Sequence, residues 1–289
     1  MKRVVVTGSE GQLGQSIKSL LKRDDGFSGI IPIFVDLNDF NLADPEASSN
    51  FFQNHECDWV INCAAYTNVE KAEEDIEGAR KGNVDTVNTL VEIAKEKGFR
   101  LIHISTDYVF DGDNDKPFKE DDAPNPTSVY GKTKLLGEQR IIEGMKESLI
   151  IRTSWLYSPF GRNFFLTMRN KAMSGEKVRV VNDQKGTPTY SMDLAHFLLT
   201  VVKANLWYPG VYHYSNQGET TWYEFTKEIY KLLGTDVSLV TPILSSEYSS
   251  NVKRPFYSVL DKTKVTETFG ISIPGWEKSL IDAIRYFKD

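Results

Sequence analysis

Two cysteines in 289 residues are too few for a disulfide framework. Cys57 and Cys63 flank the apolar run Trp59-Val-Ile-Asn62, a setting that predicts buried, reduced thiols. The four histidines, His55, His103, His196 and His213, have no metal-ligand spacing, and no carboxylate cluster accompanies them, so no required metal is expected. No apolar run approaches the ~20 residues of a membrane span. The apolar start Val4-Val-Val6 is broken at once by Thr7-Gly8, which argues against a secretion signal and for a cytoplasmic setting with no membrane partner. Positive charge is not in excess either: 34 Lys and Arg against 40 Asp and Glu leave a net charge of −6, which speaks against a general basic field for gripping nucleic acid. Internal repeats, low-complexity tracts and obvious linkers are likewise missing.

What is present is ordinary globular material, 40% hydrophobic and 26% charged, enough to bury a core. Short, nearly all-apolar runs at 3–6, 31–35, 59–61, 101–104 and 149–151 read as strands covered on both faces. Helical patterns alternate with them. Asp44 as N-cap and Pro45 at the first helical position open one helix to about residue 55, and segments 70–79, 84–97 and 128–145 supply the others. Strand and helix in alternation predict an α/β fold, a Rossmann-type doubly wound parallel sheet. After about residue 155 the pattern turns irregular and aromatic, which predicts a smaller C-terminal substrate-binding lobe facing the sheet's carboxyl edge. The expected division is 1–154 for the dinucleotide-binding part, joined by elements from about 176–204, and mainly substrate-binding lobe over 155–289. The acidic, proline-rich segment 111–126 reads as an ordered surface loop.

The spacing Gly8-x-x-Gly11-x-x-Gly14 falls between the first strand and the first helix. Glycines there permit a tight turn, close backbone approach to a pyrophosphate and close helix packing, while the helix N-terminus offers free N–H groups. Asp36, ending the second strand, is the natural acceptor for the adenosine ribose hydroxyls. A 2′-phosphate ~4 Å from it would meet a repulsion of about 1 kcal/mol per charge pair in water and ~4 at an effective dielectric of 20, which tilts an NADH-or-NADPH cofactor toward NADH. Tyr130 and Lys134 stand four apart on a helix and therefore share a face. Lys134 then reaches both the Tyr130 phenol and a bound ribose, and its charge is expected to lower the phenol's pKa, making Tyr130 a general acid. Thr106 stands at a strand's carboxyl end, where its hydroxyl can hydrogen-bond a ligand. Arg254, fixed before Pro255, can offer paired donors to phosphate oxygens, and Asn163 is a second candidate for such a contact.

The blocks Gly-Ser-Glu-Gly-Gln-Leu-Gly (8–14), Val-Ile-Asn-Cys-Ala-Ala-Tyr-Thr-Asn-Val-Glu-Lys-Ala-Glu (60–73), Ser-Thr-Asp-Tyr-Val-Phe-Asp-Gly (105–112), Tyr-Gly-Lys-Thr-Lys-Leu-Leu-Gly-Glu (130–138), Arg-Thr-Ser-Trp-Leu-Tyr (152–157), Asn-Asp-Gln-Lys-Gly-Thr-Pro-Thr (182–189) and Arg-Pro-Phe-Tyr-Ser-Val-Leu-Asp (254–261) run the length of the chain. Together they resemble the dTDP-4-dehydrorhamnose reductases of the extended short-chain dehydrogenase/reductases. The resemblance implies NAD(P)H-dependent reduction at C4 of a dTDP-linked 4-keto sugar. It implies Gly11, Gln12 and Leu13 at the pyrophosphate, Asn41 and Leu42 near the adenine, and Ala65, Tyr66 and Thr67 along the dinucleotide. It also implies Thr106, Tyr130 and Lys134 as the catalytic set, and Trp155 and Asp107 with Thr106 at the substrate. The same superfamily includes nucleotide-sugar epimerases and dehydratases, and a regulatory subunit of methionine adenosyltransferase also resembles it. Dehydratases resemble Thr-Asp-Glu where this chain has Thr106-Asp107-Tyr108, without the second carboxylate. The oligomeric state is not fixed by the sequence; a homodimer is one assembly open to the chain.

Overall fold

Apolar, mostly β-branched segments build the sheet of this protein, whose computed structural model describes residues 1–287. The strands are Lys2–Thr7 (β1), Ile30–Val35 (β2), Trp59–Asn62 (β3), Arg100–Thr106 (β4), Ser148–Thr153 (β5) and Gly210–His213 (β6). They lie in the order β6-β5-β4-β3-β1-β2, and every pairing is parallel. Side chains alternate across the sheet with period 2. Val4 and Val6 therefore face one layer with Leu13 and Ile17 of helix Gln12–Arg23 (α1), while Val5 faces the other with Val87 and Leu90. All three valines are fully buried, each stabilising the fold by roughly 1.5–3 kcal/mol relative to exposure.

The second layer holds helices Pro45–Asn54 (α2), Thr86–Lys97 (α3) and Val129–Gly144 (α4). Asp44 caps α2 as predicted, its Oδ1 accepting from the Glu46 and Ala47 N–H groups. Ser128 caps α4, its hydroxyl oxygen accepting from Gly131 N at 3.0 Å. A buried ion pair then fixes how α4 is rotated against the sheet: Arg152 of β5 donates to Glu138 of α4 from both Nε and Nη2, and Ser105 of β4 donates to the same carboxylate. Both charged side chains are almost fully out of water.

Segment 70–79, predicted as one helix, is two short ones, Val69–Ala72 and Ile76–Arg80. The break comes from Asp75, whose carboxylate accepts from Gly78 N and so begins a new helix. A π-helical turn, Lys81–Asp85, leads into α3.

The chain after residue 155 divides between the two regions. Helix Phe164–Met173 (α5) and helices Trp222–Leu232 (α7) and Trp276–Arg285 (α8) pack with the strand pair Val178–Val181 and Val240–Ile243 into a second apolar cluster around Phe165, Phe225, Tyr230 and Trp276. Helix Ser191–Ala204 (α6) lies instead on α1, the Ser191 and Ser16 hydroxyls 2.7 Å apart. The strand β6 returns to the sheet beside β5, whereas its sequence, Gly-Val-Tyr-His, reads as part of the aromatic lobe. Cys57 and Cys63 are free and half-buried rather than fully enclosed. No described helix is long and apolar enough to cross a membrane.

Candidate active site

Strand order reverses between β1 and β3, and a crevice opens at the strands' carboxyl ends. Gly8, Gly11, Gln12, Leu13, Asp36, Asn41, Leu42, Ala65, Tyr66, Thr67, Thr106, Asp107, Tyr130, Lys134, Trp155, Asn163 and Arg254 all line one cleft of about 1080 Å³. Of the site residues singled out in the sequence, Gly14 alone stands behind it. A Cβ on Gly14 would sit 2.5 Å from Gly8 O and from Ser9 Cα, so its glycine serves helix-to-turn packing.

The dinucleotide side is shaped by backbone. Gly8 has φ +62°, and a Cβ there would come within 2.6 Å of Ala64 N. This interlocks the first turn with the loop after β3. The first turn of α1 carries no side-chain cap on Gly11, so its leading N–H groups stay free for an anion. The turn thus fits a dinucleotide pyrophosphate. Asp36 is half-buried, its Oδ2 accepting from Glu10 N and its Oδ1 from Leu37 N, each at 2.8 Å. Those bonds leave lone pairs on both oxygens. Tyr66 is held by its backbone N–H, which donates to Asn83 Oδ1 in the π-helical turn at 2.9 Å.

On the opposite wall, β4 ends at Thr106 and α4 begins at Val129, which brings Thr106, Tyr130 and Lys134 together. Lys134 Nζ donates to Ile104 O at 2.7 Å and lies 3.2 Å from His103 Nε2. Burial lowers its pKa to about 8, while Glu138 and Cys63 act the other way. The Tyr130 phenol is raised above its ordinary value, chiefly by burial and further by Asp107 and Tyr108, with the Thr106 hydroxyl opposing. The helical spacing predicts that Lys134 lowers this phenol; desolvation instead dominates, and Lys134 Nζ is turned to Ile104 O. Asp107 Oδ1 accepts from Thr106 Oγ1 at 3.0 Å, and its Oδ2 is buried without an aligned partner among the described residues. Burial raises this carboxyl to about 7, although Thr106 and the nearby Ser258 favour the charged form.

The third wall carries the aromatic residues. Trp155 adopts φ +46°, a left-handed conformation that costs a non-glycine residue about 1–3 kcal/mol. Its indole stacks on Trp222 with centroids 3.6 Å apart and planes at 10°. Gly186 also lies against the Trp155 ring, where a Cβ would come within 2.6 Å of Trp155 Cε2 and Cζ2. Nothing in the local sequence around Trp222, one of many aromatics after residue 155, marks it as a partner of Trp155. Arg254 reaches the cleft with Nη2 donating to Glu70 Oε1 at 3.0 Å, and Glu70 also accepts from Ser250 Oγ and Asn251 N. Asn163, expected near a diphosphate, has its amide committed elsewhere. Its Oδ1 caps α5 by accepting from Leu166 N, and its Nδ2 donates to Ser158 O and Phe160 O.

Residues 1–288 match the family described as the RmlD substrate binding domain. The spore coat polysaccharide biosynthesis protein SpsK of Bacillus subtilis (strain 168) is 38% identical over 286 residues, covering 99% of this chain and 98% of that protein. The crystal structure of a dTDP-4-dehydrorhamnose reductase from Clostridium acetobutylicum superposes with a TM-score of 0.92 at 38% identity, covering 99% of this chain and all of the other. The enzyme of that name from Bacillus anthracis, solved in complex with NADP, has a TM-score of 0.91 at 32% identity, with 99% of each chain covered. With a family match over nearly its whole length and the glycine turn, Thr106, Tyr130 and Lys134 gathered in one cleft, the chain belongs to the RmlD substrate binding domain family.

Proposed function

We propose that this chain is a dTDP-4-dehydrorhamnose reductase, an NAD(P)H-dependent oxidoreductase that reduces the C4 ketone of dTDP-4-dehydro-L-rhamnose to dTDP-L-rhamnose. The observation that carries the reading is that Thr106, Tyr130 and Lys134 share a cleft with the Gly8–Leu13 turn. In this reading Gly8, Gly11, Gln12 and Leu13 hold the pyrophosphate and Asp36 the adenosine ribose. Asn41 and Leu42 border the adenine, and Ala65, Tyr66 and Thr67 line the remainder. When bound, the reduced nicotinamide supplies the hydride. The Thr106 hydroxyl orients the substrate carbonyl, and Lys134 holds the nicotinamide ribose. Tyr130, kept protonated at neutral pH by its burial, gives its proton to the oxygen as negative charge develops there. An alkoxide is more basic than a phenolate, so the transfer runs downhill even with a raised phenol pKa.

Arg254 pairs with the diphosphate, and Asp107 and the Trp155 edge bound the sugar. The Asn163 amide is already spent on the α5 cap. The dehydratase alternative asks for a carboxylate at position 108, where Tyr108 packs edge-on against Tyr130 with centroids 5.6 Å apart. A soluble cytoplasmic enzyme, forming a homodimer, is the setting we infer; light scattering reads the assembly directly.

The test is loss of reduced-nicotinamide absorbance with dTDP-4-dehydrorhamnose as substrate. Turnover is expected, with free dTDP competing, and Tyr130→Phe is expected to lower kcat by about 10²–10⁴ while cofactor still binds. Absence of turnover, or of inhibition by millimolar dTDP, overturns the substrate; a near-normal Tyr130→Phe overturns the proton donor.

A further inference from the structure

Behind Lys134 runs a hydrogen-bonded line of side chains, Thr7, Asn62, His103 and Lys134, each no more than 2% exposed. Its direction is fixed at one end by a backbone group. Ala64 N–H can only donate, and of the two acceptors it faces, Asn62 Oδ1 at 3.2 Å is nearer than Thr7 Oγ1 at 3.4 Å; Thr7 Oγ1 donates to the same Asn62 oxygen at 2.7 Å. The Asn62 oxygen therefore faces β1 and the following loop, and its NH₂ faces His103, with Nδ2 3.0 Å from the ring Nδ1. An amide NH₂ has no lone pair to offer, so Nδ1 must accept. In a neutral imidazole the hydrogen then sits on Nε2, and Nε2 is the atom 3.2 Å from Lys134 Nζ. An ammonium also lacks a lone pair. Two donors would face each other if Lys134 were charged, whereas a neutral amine accepts from Nε2–H and still donates to Ile104 O.

We propose that His103 is a positioning residue for Lys134: locked by Asn62 with its hydrogen on Nε2, it favours the neutral amine and so sets the protonation equilibrium of the lysine. The proposal rests on the reading of Lys134 as the ribose-holding partner of Tyr130. The groups facing Lys134 are few. Glu138 on its own helix favours the ammonium but is bound to Arg152 of β5, and Cys63 after β3 acts in the same direction. Tyr130 lies one turn back on α4, and His103 is the titratable side chain β4 places against Nζ. The lowering of Lys134 to about 8 and the depression of His103 by burial agree with a neutral ring against a readily deprotonated amine.

The test uses the full chain without substrate or cofactor, labelled with ¹⁵N in histidine and ¹³C in lysine. The ¹⁵N spectrum, assigned by the signal lost in His103→Gln, is expected to show hydrogen on Nε2 and not on Nδ1. The Lys134 ¹³Cε titration is expected to move upward by about one pH unit in His103→Gln, whose amide is free to turn its oxygen toward the ammonium. The same variant is then expected to keep its kcat/KM to higher pH, a displacement of the alkaline limb that simple loosening of the core does not produce. Hydrogen on Nδ1 in the native chain, or a Lys134 titration that stays or falls in the variant, overturns the proposal. If the variant does not fold, the signal is assigned by His103→Asn, and failing that the native tautomer among the four histidines decides alone. Both spectra are read without turnover, so a failure of the reductase reading leaves their outcome standing.

Discussion

Replacing Asp107 by asparagine exchanges a buried carboxyl for an amide of nearly the same shape, and its effect on stability depends on pH in a calculable way. The carboxyl is 3% exposed and titrates at about 7 instead of 3.8, with burial the largest cause. In the unfolded chain it ionises near 4. Between these values the native protein holds a proton that the unfolded chain has lost, so ∂ΔG/∂pH from this group is negative. Its contribution to stability is complete below about pH 4, falls as pH rises toward 7, and is flat above. From pH 5 to 7 the change spans about two pH units, or ~3 kcal/mol at 1.36 per unit. The amide of Asp107→Asn has no such titration. Urea unfolding at pH 5 and pH 8, followed by fluorescence with an unchanged m-value, is therefore expected to show the variant gaining about 2–3 kcal/mol on the native chain between the two pH values. A gain below ~0.5 kcal/mol would mean that the carboxylate is already charged in the native protein at pH 5 and that the cleft accommodates the charge.

Asp36→Ala is expected to weaken NADH more than NADPH in fluorescence titrations, because it removes an acceptor for the 2′-hydroxyl and also a charge that repels a 2′-phosphate; equal losses would place Asp36 outside the ribose site. Arg254→Ala is expected to lower kcat/KM for the dTDP-sugar at least about tenfold, the ~1.5–3 kcal/mol scale of a charge-assisted hydrogen bond, and to weaken inhibition by dTDP. An unchanged dTDP inhibition constant would leave Arg254 as only the partner of Glu70. Gly186→Ala puts a Cβ where Trp155 lies, so it is expected to cost about 1–3 kcal/mol and to alter tryptophan emission by displacing the Trp155–Trp222 stack; native-like stability and emission would show that the stack shifts freely.

Much of the sheet and of the cleft wall built by the glycine turn is legible in the sequence because the signals are local. Val4 to Val6, the glycine turn after them, the Asp44 cap and the Tyr130–Lys134 spacing each act within a few residues. The features that sequence alone does not display depend on distant pairing. Val211 and Tyr212 become sheet residues only because Leu149–Ile151 lie beside them. The Asp75 cap overrides a helical pattern over 70–79 that looks continuous. Trp155 is legible as a cleft residue, but its stacking on Trp222 and its seat on Gly186 come from three separate segments. The same holds for His103, which reads as a structural strand histidine until β3 and α4 bring Asn62 and Lys134 to its two nitrogens.

The buried Arg152–Glu138 pair carries a consequence for how such a chain can diverge. Removing either partner alone leaves the other charge stranded out of water, at a cost of about 3–5 kcal/mol, a large share of the ~5–15 kcal/mol that holds a folded protein together. Exchanging both for well-packed apolar residues is often neutral. The two positions, on β5 and α4, are therefore separated from any apolar alternative by an unstable single mutant on either route. Descendants of this chain are expected to keep both residues or to lose both, and the orientation of the helix bearing Tyr130 and Lys134 is inherited as one joint trait.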